Sequence, residues 1–166
     1  MQLHFKERAS MAIETERKFL VRNDSWKAAV HESIFVRQGF LSAAPERTVR
    51  VRTTGKGAFL TVKGKAVDAS RQEFEYPIPA SDAEELLQLC EGVIIKKKRH
   101  YVHHKGHLWE IDAFQGENEG LVLAEIELKK ADEYFERPDW AAEEVTGDYR
   151  YQNSALASNP FRNWKK

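Results

Sequence analysis

The sequence predicts a mainly β, α+β fold: an eight-stranded antiparallel β-barrel with a charged interior and helices packed on its outside. Three observations carry this prediction. Period-two alternation of apolar and charged residues recurs in nearly every segment. The alternating segments are joined mostly by short turns, the signature of a meander that closes on itself. The charged residues also come as same-sign doublets on one strand face, Glu/Asp on some strands and Arg/Lys on others. Like charges held side by side are favoured only when a counter-charge lies between them.

Each element follows from local chemistry. Met11–Arg22 reads as the first strand, because Ile13, Phe19, Leu20 and Val21 are good sheet formers. Asn23-Asp24-Ser25 caps a short helix, Trp26–Val30. Ile34–Leu41 and Arg47–Thr54 are strands, Gly55-Lys56-Gly57 is a hairpin turn, and Ala58–Lys63 is the return strand, closed by Gly64. Arg71–Ile78 is a strand stopped by Pro79. Ser81-Asp82-Ala83-Glu84 fits a capping box and opens a helix to about Cys90, with Leu86, Leu87 and Cys90 on one side. Val93–His104 and His107–Phe114 form a hairpin about Lys105-Gly106. After a turn region, Gly116–Gly120, comes the last long strand, Leu121–Lys129, and a short helix is expected near Asp139–Glu144. If the charged faces look inward, Val49, Val51, Phe74, Tyr76, Ile111 and Ile126 look outward and should be buried under helices.

At 166 residues the chain suits one domain, residues 11–166, with residues 1–10 as a flexible N-terminal extension and no secretory signal. The 26 Lys+Arg balance 26 Asp+Glu, so there is no bulk attraction to nucleic acid or to an anionic membrane. No apolar run approaches a membrane span. The single cysteine, Cys90, excludes an internal disulfide scaffold and fits a cytoplasmic protein. The sequence leaves a homodimer open.

The doublets supply the candidate chemistry. In Glu14-Thr15-Glu16-Arg17-Lys18, strand periodicity puts Glu14, Glu16 and Lys18 on one face. Two neighbouring carboxylates suit a divalent cation, and the lysine beyond them suits a phosphate oxygen. The same alternation pairs Arg50 with Arg52, Thr61 with Lys63, Glu73 with Glu75, Glu110 with Asp112, and Glu125 with Glu127. Lys96-Lys97-Lys98-Arg99 yields two bases in either register. Taken singly, each pair reads as a solvated sheet face with ion pairs of about 0.2–1 kcal/mol. Their recurrence as same-sign doublets argues for a shared interior that holds a polyanion with its metal. Carboxylate oxygens select Mg²⁺ or Mn²⁺ rather than zinc. His103 and His104 read as surface residues, and Trp26, Phe40 and Tyr151 as packing.

The motifs, in order, resemble those of the CYTH domain, the triphosphate tunnel metalloenzyme family. Glu14–Lys18 looks like its ExExK signature, and Gln38-Gly39-Phe40-Leu41 like its QGYL strand with Phe for Tyr. Arg50-Val51-Arg52 is similar to RxR, Thr61-Val62-Lys63-Gly64 to TxKG, Arg71–Glu75 to RxExE, and Lys97-Lys98-Arg99 to KxR. Val145–Tyr151 with Asn153 and Leu156 resembles the C-terminal VTGDxRYxNxxL of small bacterial members. The resemblance implies a tunnel that binds a small-molecule triphosphate with Mg²⁺ or Mn²⁺. Arg50, Arg52, Lys63, Lys97 and Arg99, joined by Lys18, would clamp phosphate; Glu14, Glu16, Glu125 and Glu127 would lead the metal ligands. Glu73, Glu75, Glu110 and Asp112 would complete the metal shell or position water. Lys18, Arg52, Lys63 and Glu75 are the candidate catalytic residues. The implied activity is hydrolysis of inorganic triphosphate or a related triphosphate. Adenylate cyclase or thiamine triphosphatase activity in the same tunnel is one alternative, and a non-catalytic polyphosphate- or nucleotide-binding module is another.

Overall fold

Alternation turns into strands almost everywhere it occurs. The computed structural model describes residues 13–164, so the expected extension, residues 1–10, lies outside the described residues. The strands are β1 (Ile13–Val21), β2 (Val30–Ser42), β3 (Arg47–Thr54), β4 (Gly57–Gly64), β5 (Ser70–Ile78), β6 (Glu91–His104), β7 (His107–Gln115), β8 (Val122–Glu127) and β9 (Ala141–Glu144). Two α-helices, α1 (Ala80–Gln88) and α2 (Asn153–Ser158), and four short 3₁₀ turns complete the described chain.

The sheet runs β5-β4-β3-β2-β6-β7-β8-β1, and β1 pairs back onto β5, which closes an eight-stranded barrel. Every ladder is antiparallel. The closing ladder is short, Ile13–Thr15 against Ser70–Gln72, and is reinforced by a hydroxyl hydrogen bond of 2.7 Å between Thr15 and Ser70. Beyond it, the same edge of β1 would present unpaired backbone groups. β9 lies outside the barrel and covers that edge, with Phe19 opposite Glu144 and Val21 opposite Ala141. The helix expected near Asp139–Glu144 is therefore a strand, because the open edge offers its backbone more hydrogen bonds than one isolated helical turn.

Two outer apolar layers cover the barrel. Phe19, Trp109, Ile111, Ala124 and Ile126 pack with Trp26, Trp140 and Ala141. Val51 and Ala58 pack under Ala83 and Leu87 of α1. Val51, Ile111 and Ile126 are thus buried as expected, and Val49 is half-buried. Phe74 and Tyr76 are not buried: they are 40% and 43% exposed, because α1 packs mainly across β2, β3 and β4, and on β5 Ile78 joins the apolar cluster beneath the helix while these two do not. The helix also starts earlier than the capping box implies. Pro79 occupies the N-cap with no side-chain cap, and Ala83 N–H donates to Pro79 O, so Ser81 lies inside the first turn.

The inner faces are not charged throughout. Ile95, Phe114 and Leu123 share them with the charged residues and pack against Leu156 and Ala157 of α2. Gly92, at φ +67°, lies where a Cβ would strike the Ala157 backbone. Glycine thus lets β6 approach α2 closely, and α2 closes this part of the interior. No helix of the described residues is long and apolar enough to cross a membrane.

Candidate active site

The barrel register turns scattered doublets into one surface, because directly opposed residues on neighbouring antiparallel strands share a face. Glu16 stands opposite Glu127, Lys18 opposite Glu125, and Glu110 opposite Glu125. Arg99 faces Asp112, Gln38 faces Arg52, and Arg50 faces Thr61. Lys63 faces Glu73, Thr61 faces Glu75, and Glu14 faces Arg71 across the closing ladder. The result is a cavity of about 190 Å³. It is lined by seven bases (Lys18, Arg50, Arg52, Lys63, Arg71, Lys97, Arg99) and seven acids (Glu14, Glu16, Glu73, Glu75, Glu110, Glu125, Glu127). Phe40, Thr48, Gln152, Asn153 and Ser154 complete the wall.

Thirteen of the fourteen residues singled out from the sequence line this cavity. Asp112 does not. It is fully buried behind the wall, where it accepts from Lys97 Nζ at 2.7 Å and from Arg99 Nε and an Arg99 terminal nitrogen at 2.7 and 2.8 Å. Its part is to hold two bases rather than to meet a ligand. The ambiguous basic run is resolved in favour of Lys97 and Arg99; Lys96 is exposed, and Lys98 lies over the Phe35 ring. Arg71, Gln38 and Asn153 are lining or supporting residues that the candidate set omits. The parity of Arg71 with Glu73 and Glu75 was a usable signal. Gln38 and Asn153 stand in the QGYL-like and C-terminal motifs, but amide chemistry alone gave neither a role.

Most lining charges are already paired. Lys63 Nζ lies 2.7 Å from Glu14 and 3.2 Å from Glu73. Arg99 contacts Glu110 at 2.5 Å, and Arg50 contacts Glu75 at 3.3 Å. Lys18 lies 3.4 Å from Glu125 and donates to Tyr151 O at 3.3 Å. Burial raises the Glu14 carboxyl, but Lys63 and Arg71 outweigh it and bring it down to about 2. Burial likewise raises Glu125, yet Lys18 and Arg99 hold it well below the ordinary range. Burial lowers Lys97 to about 8 against the pull of Asp112, and burial together with Arg52 lowers Arg50 to about 9.

Three lining groups break this pattern. Among the described residues, Arg52 makes no ion pair with a carboxylate, and Glu16 and Glu127 make none with a base. Burial and the charges of Glu125 and Glu14 push Glu16 up to about 8. Burial, Glu14, Glu73 and Glu110 also raise Glu127. These two acids face each other across the β1–β8 ladder, so that neighbourhood carries uncompensated negative charge when both ionise. In addition, Arg50 Nε is buried with no hydrogen-bond partner among the described atoms, a donor left over for an anion.

The donor set fits a hard divalent cation, since every candidate ligand is a carboxylate oxygen. Among the described residues, no three His, Cys, Asp or Glu side chains converge to hold an ion by themselves. Mg²⁺-type sites use one or two carboxylates and take further oxygens from substrate phosphates.

Comparison with known proteins identifies the family. The CYTH domain family model matches residues 12–157. An inorganic triphosphatase of Acetivibrio thermocellus is 45% identical over 157 residues, covering 94% of this chain and 100% of that protein. An inorganic triphosphatase of Nitrosomonas europaea is 36% identical over 148 residues, covering 87% of this chain and 96% of that protein. Among solved structures, the inorganic triphosphatase NE1496 superposes with a TM-score of 0.62 at 36% identity, covering 87% of this chain and 93% of that one. The PH1012 protein of Pyrococcus horikoshii shares the fold alone, with a TM-score of 0.57 at 18% identity, covering 72% and 80% of the two chains.

Proposed function

The chain belongs to the CYTH domain family, and on that premise we propose that it is a metal-dependent hydrolase of inorganic triphosphate. The observation that carries this reading is the cavity wall, a neutral balance of seven bases and seven acids with Arg52 and the Glu16–Glu127 pair left uncompensated. A triphosphate brings several negative charges, more than the unpaired bases can neutralise, so a cation must enter with it. Its relatives' activity and the oxygen-only donor set both support this assignment.

In this reading Arg52 and Arg50, with Lys18, Lys63, Lys97 and Arg99, orient the phosphate chain and stabilise charge on its oxygens. Glu16 and Glu127 lead the metal ligands, with Glu14 and Glu125 released to join them as phosphate takes over their basic partners. Mg²⁺ or Mn²⁺ would supply charge neutralisation at the phosphate oxygens. Glu75 accepts from Thr61 Oγ1 at 2.9 Å and from Arg50, which fixes its carboxylate. So held, it orients the attacking water. That water bonds to the terminal phosphorus and gives up a proton to solvent, the P–O bond to the bridging oxygen breaks, and the electron pair leaves with pyrophosphate. Glu73 holds Lys63 at 3.2 Å and Glu110 holds Arg99 at 2.5 Å, which keeps these two bases on the wall.

The test is a substrate panel of tripolyphosphate, ATP and thiamine triphosphate with Mg²⁺ and with Mn²⁺. Phosphate release fastest from tripolyphosphate is expected; no release from it with either metal would overturn the reading. Recognition of a base or thiazole finds little support. Of Trp26, Phe40 and Tyr151, only Phe40 lines the cavity, while Trp26 packs on His100 and Tyr151 on Trp164. The proposal extends to a cytoplasmic protein that acts on a small molecule, with neither nucleic acid nor membrane as partner.

A further inference from the structure

Arg52 is held differently from every other base in the cavity. Lys18, Arg50, Lys63, Arg71, Lys97 and Arg99 each contact a carboxylate. Arg52 Nε instead donates to Gln38 Oε1 at 3.0 Å. Gln38 is fully buried, and its Nε2 donates to Asn153 Oδ1 at 2.7 Å. The same Asn153 oxygen accepts from Lys97 Nζ at 2.9 Å. Asn153 reaches this point because α2 is seated against β6 beside Gly92.

The two cations at the ends of this chain fix the orientation of both amides. Arg52 and Lys97 can only donate, so each must meet an amide oxygen. With Gln38 Oε1 turned to Arg52, its NH₂ group is turned to Asn153, whose oxygen is the atom that Lys97 also requires. No other assignment of the two amides satisfies all four groups. A neutral amide orients the guanidinium while leaving its charge uncompensated. A carboxylate at the same place would accept the same hydrogen bond but would compete with the substrate.

We propose that Gln38 and Asn153 are positioning residues that aim Arg52 at the triphosphate through uncharged contacts, so that its charge stays available for the phosphate. The proposal rests on the triphosphatase reading of the cavity. It makes α2, which bears no charged lining group, part of the binding apparatus.

The experiment compares Gln38→Glu, Gln38→Met and Asn153→Ala with the wild-type chain. It reads KM and kcat for tripolyphosphate, Kd for tripolyphosphate by calorimetry, and the thermal midpoint. Gln38→Glu should raise KM and Kd about tenfold or more, as expected when a charged hydrogen bond to Arg52 must be displaced by substrate. Its kcat should fall less than its KM rises. Gln38→Met, which removes the hydrogen bonds but adds no charge, should raise KM less than Gln38→Glu. Asn153→Ala should shift KM in the same direction by a smaller factor. A folded Gln38→Glu with wild-type KM and Kd overturns the proposal. So does Gln38→Met equalling Gln38→Glu, since a purely structural role follows lost contacts rather than added charge. An unchanged KM in Asn153→Ala removes Asn153 from the relay. Wild-type protein that binds tripolyphosphate without releasing phosphate overturns the hydrolase reading alone, and the Kd ranking of the variants then decides the relay.

Discussion

Two acidic groups of the same barrel have opposite fates. Asp112 is fully buried and receives three charged N–H donors from Lys97 and Arg99. Glu16 and Glu127 face one another with no base paired to either among the described residues. Burial works against all three carboxyls, yet Asp112 is lowered by Arg99 and Lys97 while Glu16 is raised to about 8. The difference separates scaffold from site. Charge compensated inside the protein fixes the bases in place, and charge left uncompensated is where a ligand gains most.

The sharpest way to break that distinction is to remove the scaffold acid. Asp112→Ala leaves Lys97 and Arg99 buried around an empty position and should cost about 3–5 kcal/mol of stability, the usual penalty for breaking a buried ion pair. A urea titration checks it. Stability within error of wild type would show that the two bases find other partners and that Asp112 is not scaffold.

Substitutions on the uncompensated side should do the reverse, costing activity and sparing the fold. Arg52→Ala should lower kcat/KM for tripolyphosphate by roughly 10²–10³, the range for removing one preorganised charge donor. Glu127→Gln should approach that loss and also raise the Mg²⁺ or Mn²⁺ concentration needed for half-maximal rate. Both variants should unfold at the wild-type urea midpoint. Wild-type turnover by either folded variant would sink the assignment of these groups to the site.

Why some of this was legible in sequence and some was not follows from the same chemistry. Same-sign doublets such as Arg50/Arg52 and Glu125/Glu127 announce a face by parity, and the ladders place them as parity demands. Asp112 shared that parity with Glu110, but its depth behind Lys97 and Arg99 depends on side-chain packing that alternation does not encode. Lys96–Arg99 could not be phased from charge alone; the buried neighbour Ile95 decides it. β9 has no alternating pattern, and only the open edge of β1 makes Ala141–Glu144 a strand. Gln38 and Asn153 were visible as motif positions, but their role was not, because an amide has no chemical signature until its partners are known.

A further effect should appear in the pH dependence of the metal-free protein. Glu16 ionises near 4.5 when unfolded and near 8 when folded. The folded state therefore holds its proton more tightly. The stability this contributes is complete below pH 4.5 and is lost as pH rises through about 8. Glu16→Gln should remove that part of the slope. Glutamine mimics the protonated carboxyl, so the urea midpoints of the two proteins should lie close at the acid end and separate as pH rises through about 8, with wild type losing more. Parallel curves would mean that Glu16 keeps an ordinary pKa and that the acidic pair is already compensated.

The smallest effect is expected on the outer face of β5, where the same strand turns Glu73 and Glu75 inward and Phe74 outward. Phe74 is 40% exposed because α1 packs mainly on β2, β3 and β4 and covers β5 at Ile78 rather than at Phe74. Phe74→Thr keeps a good strand former and should change stability by no more than about 1 kcal/mol, with kcat/KM unaltered. Urea unfolding at two protein concentrations, together with the tripolyphosphate assay, checks this. A larger loss that grows on dilution would show that the bare face of β5 is covered by a second copy of the chain. The inner and outer faces of this strand would then differ in partner, ligand on one side and protein on the other, rather than in burial.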